Sequence, residues 1–171
     1  MGFDEVTGIN FPFMQKEMTS YFGDPRDPSF AQEFLRRMEF SDLGIPNIGA
    51  IYGNYVLERP LRKAFEAIIN AGLSDVITTY DGCWNIRTMK SQKQLSMHAW
   101  GIAVDFNAAT NPFTYDDLVT DFPSAFILCF AQAGFEWGGL WNSCKDAMHF
   151  QLAWTRDWRT TNHPFAPVPF V

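Results

Sequence analysis

Three histidines stand in a chain of 171 residues, and two of them lie with an aspartate in spacings that suit a metal site. His98 is followed by Asp105 in SMHAWGIAVDF, and Asp146 precedes His149 in KDAMHFQ. A catalytic zinc ion takes imidazole nitrogen and carboxylate oxygen from three protein ligands and keeps a fourth position open. His98, Asp105 and His149 supply such a set. Asp146 then falls beside the open position, where a carboxylate can take a proton from attacking water. Asp105 adds a second argument. It sits in the apolar run GIAVDF, where an unpaired charge is costly and a shared cation removes the cost. The plainer reading makes each histidine an ordinary surface or core residue. The paired His–Asp spacings and the apolar setting of Asp105 weigh against it.

These side chains need rigid elements to hold them. GIAVDF reads as a strand with Ile102, Val104 and Phe106 on one face and Ala103 and Asp105 on the other. MHFQLAW reads as a final strand, with His149, Gln151 and Ala153 on one face and Phe150 and Leu152 on the other. FEW is a short strand, and the β-branched DVITTY predicts another over 75–80. In DPSFAQEFLRRMEF, Ser29 can cap a helix, Gln32 completes a capping box, and Phe30, Phe34 and Met38 share a stripe. A second helix follows in RPLRKAFEAIINAG. Pro60 suits its first turn, Leu61, Phe65, Ile68 and Ile69 form its apolar face, and Gly72 can end it. A third runs from Pro123 to Gly134 in FPSAFILCFAQAG. Residues 81–97, NPFTYDD and GGLWNSCKDA read as connections, and a loop as long as 81–97 tends to be functional. The expectation is one domain over 1–171, with an irregular segment over 1–28 and an extended, proline-rich tail over 163–171 that includes His163. Its class is α+β, a small and mostly antiparallel sheet with helices packed on one side.

Composition narrows the function. Apolar residues make up 47% of the chain, enough for a packed core. Thirteen basic against nineteen acidic residues leave a net charge of −6, with no basic cluster. Nucleic acid is therefore excluded as an expected partner. No apolar run has the length of a membrane span, so no membrane insertion is expected. MGFDEVTGINF lacks the basic and apolar regions of a signal peptide, which predicts synthesis and storage in a cytoplasm. Three cysteines without CxxC pairing, Cys83, Cys129 and Cys144, fit neither a disulfide framework nor a cysteine zinc site. A monomer is expected.

SMHAWGIAVDFN resembles the S-x-H-x-x-G-x-A-x-D signature of the VanY/VanX-type zinc peptidases. These are D-alanyl-D-alanine carboxypeptidases and dipeptidases, together with phage L-alanyl-D-glutamate endolysins. FEWGGLWNSCKDAMHFQ is similar to their second signature, a Trp-Gly-Gly turn followed by D/E-x-x-H. GCWNIR resembles the upstream segment whose arginine contacts substrate. The resemblance covers about residues 75–155. It implies the fold shared with hedgehog signalling domains and one Zn2+ per chain on His98, Asp105 and His149. It implies Asp146 as the catalytic base and Arg87 as the cation that binds substrate and stabilises the oxyanion. Ser96 is implied as a pocket residue, able to bond substrate or a group behind a ligand. Trp141, with Trp84, can wall a cleft, and Tyr80 can reach substrate. The implied partner is the peptidoglycan stem peptide, and the favoured activity is an L-alanyl-D-glutamate endopeptidase acting as a phage endolysin, stored in the host cytoplasm before release to the wall. A D-alanyl-D-alanine carboxypeptidase is the nearest alternative. A non-catalytic wall-binding or virion module that contains zinc is the second. Leu140 and Gln151 depart from the pattern, since many phage members carry acidic residues there.

Overall fold

The computed structural model describes residues 2–4, 9–11, 15–90 and 93–152. Its centre is an antiparallel sheet of four strands. They are β5 (Tyr80–Gly82), β6 (Ala103–Phe106), β8 (Phe135–Trp137) and β10 (His149–Leu152), in the spatial order β5-β6-β10-β8. β1 (Gly2–Asp4) pairs with β2 (Ile9–Phe11), β3 (Leu35–Glu39) with β4 (Ala50–Asn54), and β7 (Phe113–Thr114) with β9 (Lys145–Asp146). The helices are α1 (Gln15–Phe22), α2 (Phe30–Phe34), α3 (Glu58–Asn70) and α4 (Ser124–Gln132). The architecture is α+β, as expected. Among the described residues no helix is long and apolar enough to cross a membrane.

Strand alternation divides the work of the sheet. Phe106 and Phe150 point to the helices, where Phe65 of α3 and Phe126 and Phe130 of α4 close over them. The Phe130 and Phe150 rings stack with centroids 4.3 Å apart. Each fully buried phenylalanine contributes about 1.5–3 kcal/mol, so this layer is the main anchor of the site strands. Asp105 and His149 are register partners across β6 and β10, and therefore share the opposite face. The alternation expected for GIAVDF and MHFQL is the observed one, though Ala103 is as deeply buried as Val104.

Five expectations are corrected. The helix expected over DPSFAQEFLRRMEF stops at Phe34, and Leu35–Glu39 becomes β3. Pairing with β4 over five residues supplies ladder bonds that override local helical propensity. Ser29 makes no side-chain cap, so no capping box forms with Gln32. Its hydroxyl donates instead to Asp27 Oδ1 at 2.9 Å. The strand expected over 75–80 covers only Tyr80–Gly82, preceded by a 3-10 turn at Ser74–Val76. Asn107 holds that approach: its Oδ1 accepts from the Thr78 and Thr79 amides, and its Nδ2 donates to Val76 O. The segment 1–28 is not wholly irregular, since it contains β1, β2 and α1, and Met18 and Phe22 of α1 reach the core. Finally, NPFTYDD and GGLWNSCKDA are not plain loops, because β7 and β9 pair between them and place Asp146 opposite Phe113. Ala153, His163 and the tail lie outside the described residues.

Candidate metal centre

His98 reaches the site from a 3-10 turn, Met97–Trp100. Ser96 caps that turn, its buried Oγ accepting from the His98 amide at 3.4 Å. Gly101 ends it with φ +67°, a left-handed conformation that side chains disfavour. The turn is also pressed against β4. Asn54 N donates to Gly101 O at 2.8 Å and Asn54 Nδ2 to Trp100 O at 3.2 Å. A Cβ on Gly101 would lie 2.8 Å from Asn54 N and 3.0 Å from Leu35 Cδ2. Gly101→Ala is therefore expected to cost roughly 3 kcal/mol, from backbone strain and overpacking together. Urea unfolding of the metal-free protein measures this, and a change under 1 kcal/mol would contradict it.

Three donor atoms meet at the face of β6 and β10. His98 Nε2 lies 3.1 Å from Asp105 Oδ1 and 3.1 Å from His149 Nδ1, and His149 Nδ1 lies 3.1 Å from Asp105 Oδ1. The group can hold a metal ion. A tetrahedral ion with bonds of ~2.0 Å separates its ligand atoms by ~3.3 Å, which this triangle nearly matches. The tautomers agree. His98 Nδ1–H donates to Cys83 O at 2.6 Å, which leaves Nε2 with a bare lone pair. His149 Nε2–H donates to Gln151 Oε1 at 2.9 Å, which leaves Nδ1 bare. Two nitrogen lone pairs and a carboxylate oxygen then face one another. Such a set repels itself and is satisfied by a cation at its centre.

The electrostatics favour positive charge at the same place. Burial alone would raise the Asp105 carboxyl, but in the metal-free protein His149 and then His98, when protonated toward it, hold it well below the usual carboxylate range. Burial alone would lower His149, but Asp105, then Asp146 and Gln151, raise it above the ordinary imidazole value. Both histidines are buried, while the Asp105 side chain keeps 13% exposure. The site is therefore open on the carboxylate side.

Asp146 is half-buried, and its Oδ1 has no hydrogen-bond partner. Burial raises its pKa above the ordinary carboxylate value, with the charges of His149, Asp105, His98 and Arg87 acting on it as well. It is an unsatisfied carboxylate beside the triangle, suited to holding a proton. Its strand lies tight against the Trp-Gly-Gly turn, where a Cβ on Gly138 would sit 2.5 Å from Asp146 O.

The other candidates fall in two groups. Arg87 is exposed and shares an open cleft with Asp81, Trp84, Asn85, His98 and Asp105. Tyr80 stands half-buried at the end of β5, its hydroxyl kept protonated by burial and then by Cys83 and Asp105. Trp141 packs against His149 at 5.2 Å between ring centroids. Ser96, in contrast, is turned inward as the cap of the His98 turn. Cys83 contributes its carbonyl, while burial pushes its thiol up and leaves it inert. Cys83, Cys129 and Cys144 are all free. Leu140 is 44% exposed, and Gln151 lies buried behind His149.

Sequence reasoning missed Glu136. It stands opposite Gln151 in the register of β8 and β10, and accepts from Gln151 Nε2 at 3.1 Å and from Trp141 Nε1 at 2.5 Å. The alternation of FEW was a usable signal, since it sets Glu136 opposite in direction to Phe135 and Trp137.

Residues 90–152 match a family model described as D-alanyl-D-alanine carboxypeptidase, which supports the VanY-type zinc peptidases. The matched segment contains all three members of the triangle and Asp146. No curated protein and no solved structure is significantly similar to the chain.

Proposed function

From the match of residues 90–152 to a D-alanyl-D-alanine carboxypeptidase family model, we propose that the protein is a zinc-dependent L-alanyl-D-glutamate endopeptidase of the peptidoglycan stem peptide, working as a phage endolysin. The observation that carries the reading is the triangle of His98 Nε2, Asp105 Oδ1 and His149 Nδ1 with the partnerless Asp146 Oδ1 beside it. A purely structural zinc site closes its coordination with protein ligands and needs no spare carboxylate.

Zinc in such a site supplies Lewis acidity toward water and a carbonyl. The chain does the rest. Asp146 Oδ1 accepts the proton of the attacking water and returns it to the leaving amine. Burial prepares it for this, since a raised pKa makes it a better base than an exposed aspartate. Arg87 approaches from the cleft side and offers guanidinium donors to the oxyanion or to a substrate carboxylate. Tyr80 can donate one more hydrogen bond, and Trp141 and Trp84 give apolar walls to the peptide stem. The whole chain acts as one monomeric domain in this reading.

Digestion of purified peptidoglycan followed by mass spectrometry of the muropeptides tests the assignment. Cleavage between L-Ala and D-Glu frees the rest of the stem, whereas a D,D-carboxypeptidase removes only terminal D-Ala. Arg87 in an open cleft suits that second activity too, because it can hold a terminal carboxylate. A chelator is expected to abolish release of peptide, and added zinc to restore it. Zinc-loaded protein that binds peptidoglycan and releases nothing would instead mark a non-catalytic module.

A further inference from the structure

His149 is held by more than one bond. Its Nε2–H donates to Gln151 Oε1 at 2.9 Å. The same amide donates through Nε2 to Glu136 Oε2 at 3.1 Å. The other Glu136 oxygen accepts from Trp141 Nε1 at 2.5 Å. The Trp141 ring then packs back on the His149 imidazole, inclined by 55°. The contacts close a ring through β10, β8 and the turn after Gly138–Leu140. Within it every polar group has a chemical sense fixed by the next. Glu136 only accepts, so Gln151 must turn its NH2 toward it and its carbonyl toward His149. That carbonyl only accepts, so His149 must carry its proton on Nε2 and leave Nδ1 bare toward Asp105.

We propose that Gln151 and Glu136 are positioning residues that fix the tautomer and the ring orientation of His149, with Trp141 locking the Glu136 carboxylate. Resting on the reading of His149 as a metal ligand, the inference also accounts for the amide at position 151. A carboxylate there would face the Glu136 carboxylate across a partly buried gap, and the neutral amide converts that repulsion into a hydrogen bond. The residue that departs from the phage pattern is matched to its neighbour on β8.

Two variants separate this from a general packing role. Gln151→Met keeps the volume and removes both bonds. Zinc affinity, measured by chelator competition, is expected to fall about 10–100-fold. Long-range 15N–1H spectra of the metal-free protein, recorded at a pH high enough for the ring to be neutral, should show His149 shift from a single Nε2-protonated form to a mixture of tautomers. The exchange variant Gln151→Glu with Glu136→Gln reverses the donor and acceptor between the two strands yet leaves His149 and Trp141 with acceptors. It is expected to restore zinc affinity to within about threefold of wild type and to recover the single tautomer. Unchanged affinity and tautomer in Gln151→Met would overturn the proposal. So would a folded exchange variant that stays more than about tenfold below wild-type zinc affinity or shows mixed tautomers, and that comparison with wild type decides the matter if Gln151→Met does not fold. Wild-type protein that binds zinc with a fixed tautomer and cuts no peptidoglycan would sink the proposed peptidase activity and leave this assignment standing.

Discussion

Asp146→Asn is expected to lower kcat by about 10²–10⁴-fold, the range that a positioned general base supplies, while a full equivalent of zinc stays bound. Asp146 is not one of the three triangle donors, so its loss leaves the metal group intact. The isosteric amide keeps the packing against Gly138 and loses only the ability to take a proton. The sign for stability follows from linkage. The native state binds this proton more tightly than the unfolded chain, so stability falls as pH rises from the unfolded carboxylate value through the raised native one. At neutral pH the ionised group is thus a cost to the fold. Metal-free Asp146→Asn should melt no lower than metal-free wild type. Stopped assays with parallel metal analysis and thermal melts check all three points. Near-normal turnover in the variant would remove Asp146 from the mechanism.

Asp105→Ala is expected to strip the metal, weakening zinc binding by more than the 10–100-fold that loss of an outer partner costs. Asp105 Oδ1 is the one anionic corner of the triangle, 3.1 Å from both imidazole nitrogens. Without it, two neutral nitrogens remain, and neither the charge nor the coordination number of a tight zinc site is left. His98→Ala should behave alike, since the triangle would then lose one of its two nitrogen donors. Metal analysis after dialysis, with calorimetric titration, makes the comparison. A variant that retained a full equivalent of zinc would show that the ligands lie elsewhere. Fold loss is not the expected cause of failure, because Phe106 and Phe150 anchor β6 and β10 from the opposite face.

The match of a peptidase family model to residues 90–152 and the geometry of the triangle point the same way. The first compares patterns along the chain. The second depends on side chains far apart in sequence meeting within hydrogen-bond distance.

Much of the site was legible in the chain because its signals are local. Asp105 in an apolar strand, the His–Asp spacings and the alternation of MHFQ each need only a few neighbouring residues to be read. The long helices α3 and α4 were legible for the same reason, through Pro60 and Gly72 in one and Pro123 and Gly134 in the other. What failed were features set by distant partners. Leu35–Glu39 carries a helical stripe, yet it is a strand because β4 offers it a ladder. The stretch 75–80 looks like a strand, yet Ser74–Val76 is a 3-10 turn and Asn107 takes the Thr78 and Thr79 amides and Val76 O.

The sequence by itself determined which residue types were available for chemistry, and in which order: an acid and a base at each end of a segment, framed by apolar strands. Only the tertiary structure decided their protonation and aim. Antiparallel register sets Asp105 beside His149, a backbone carbonyl at Cys83 selects the His98 tautomer, and Glu136 on a third strand orients the amide behind His149. Hydrogen bonds and charges act over a few ångströms of space and not along the chain, so these choices become visible only once the strands are paired.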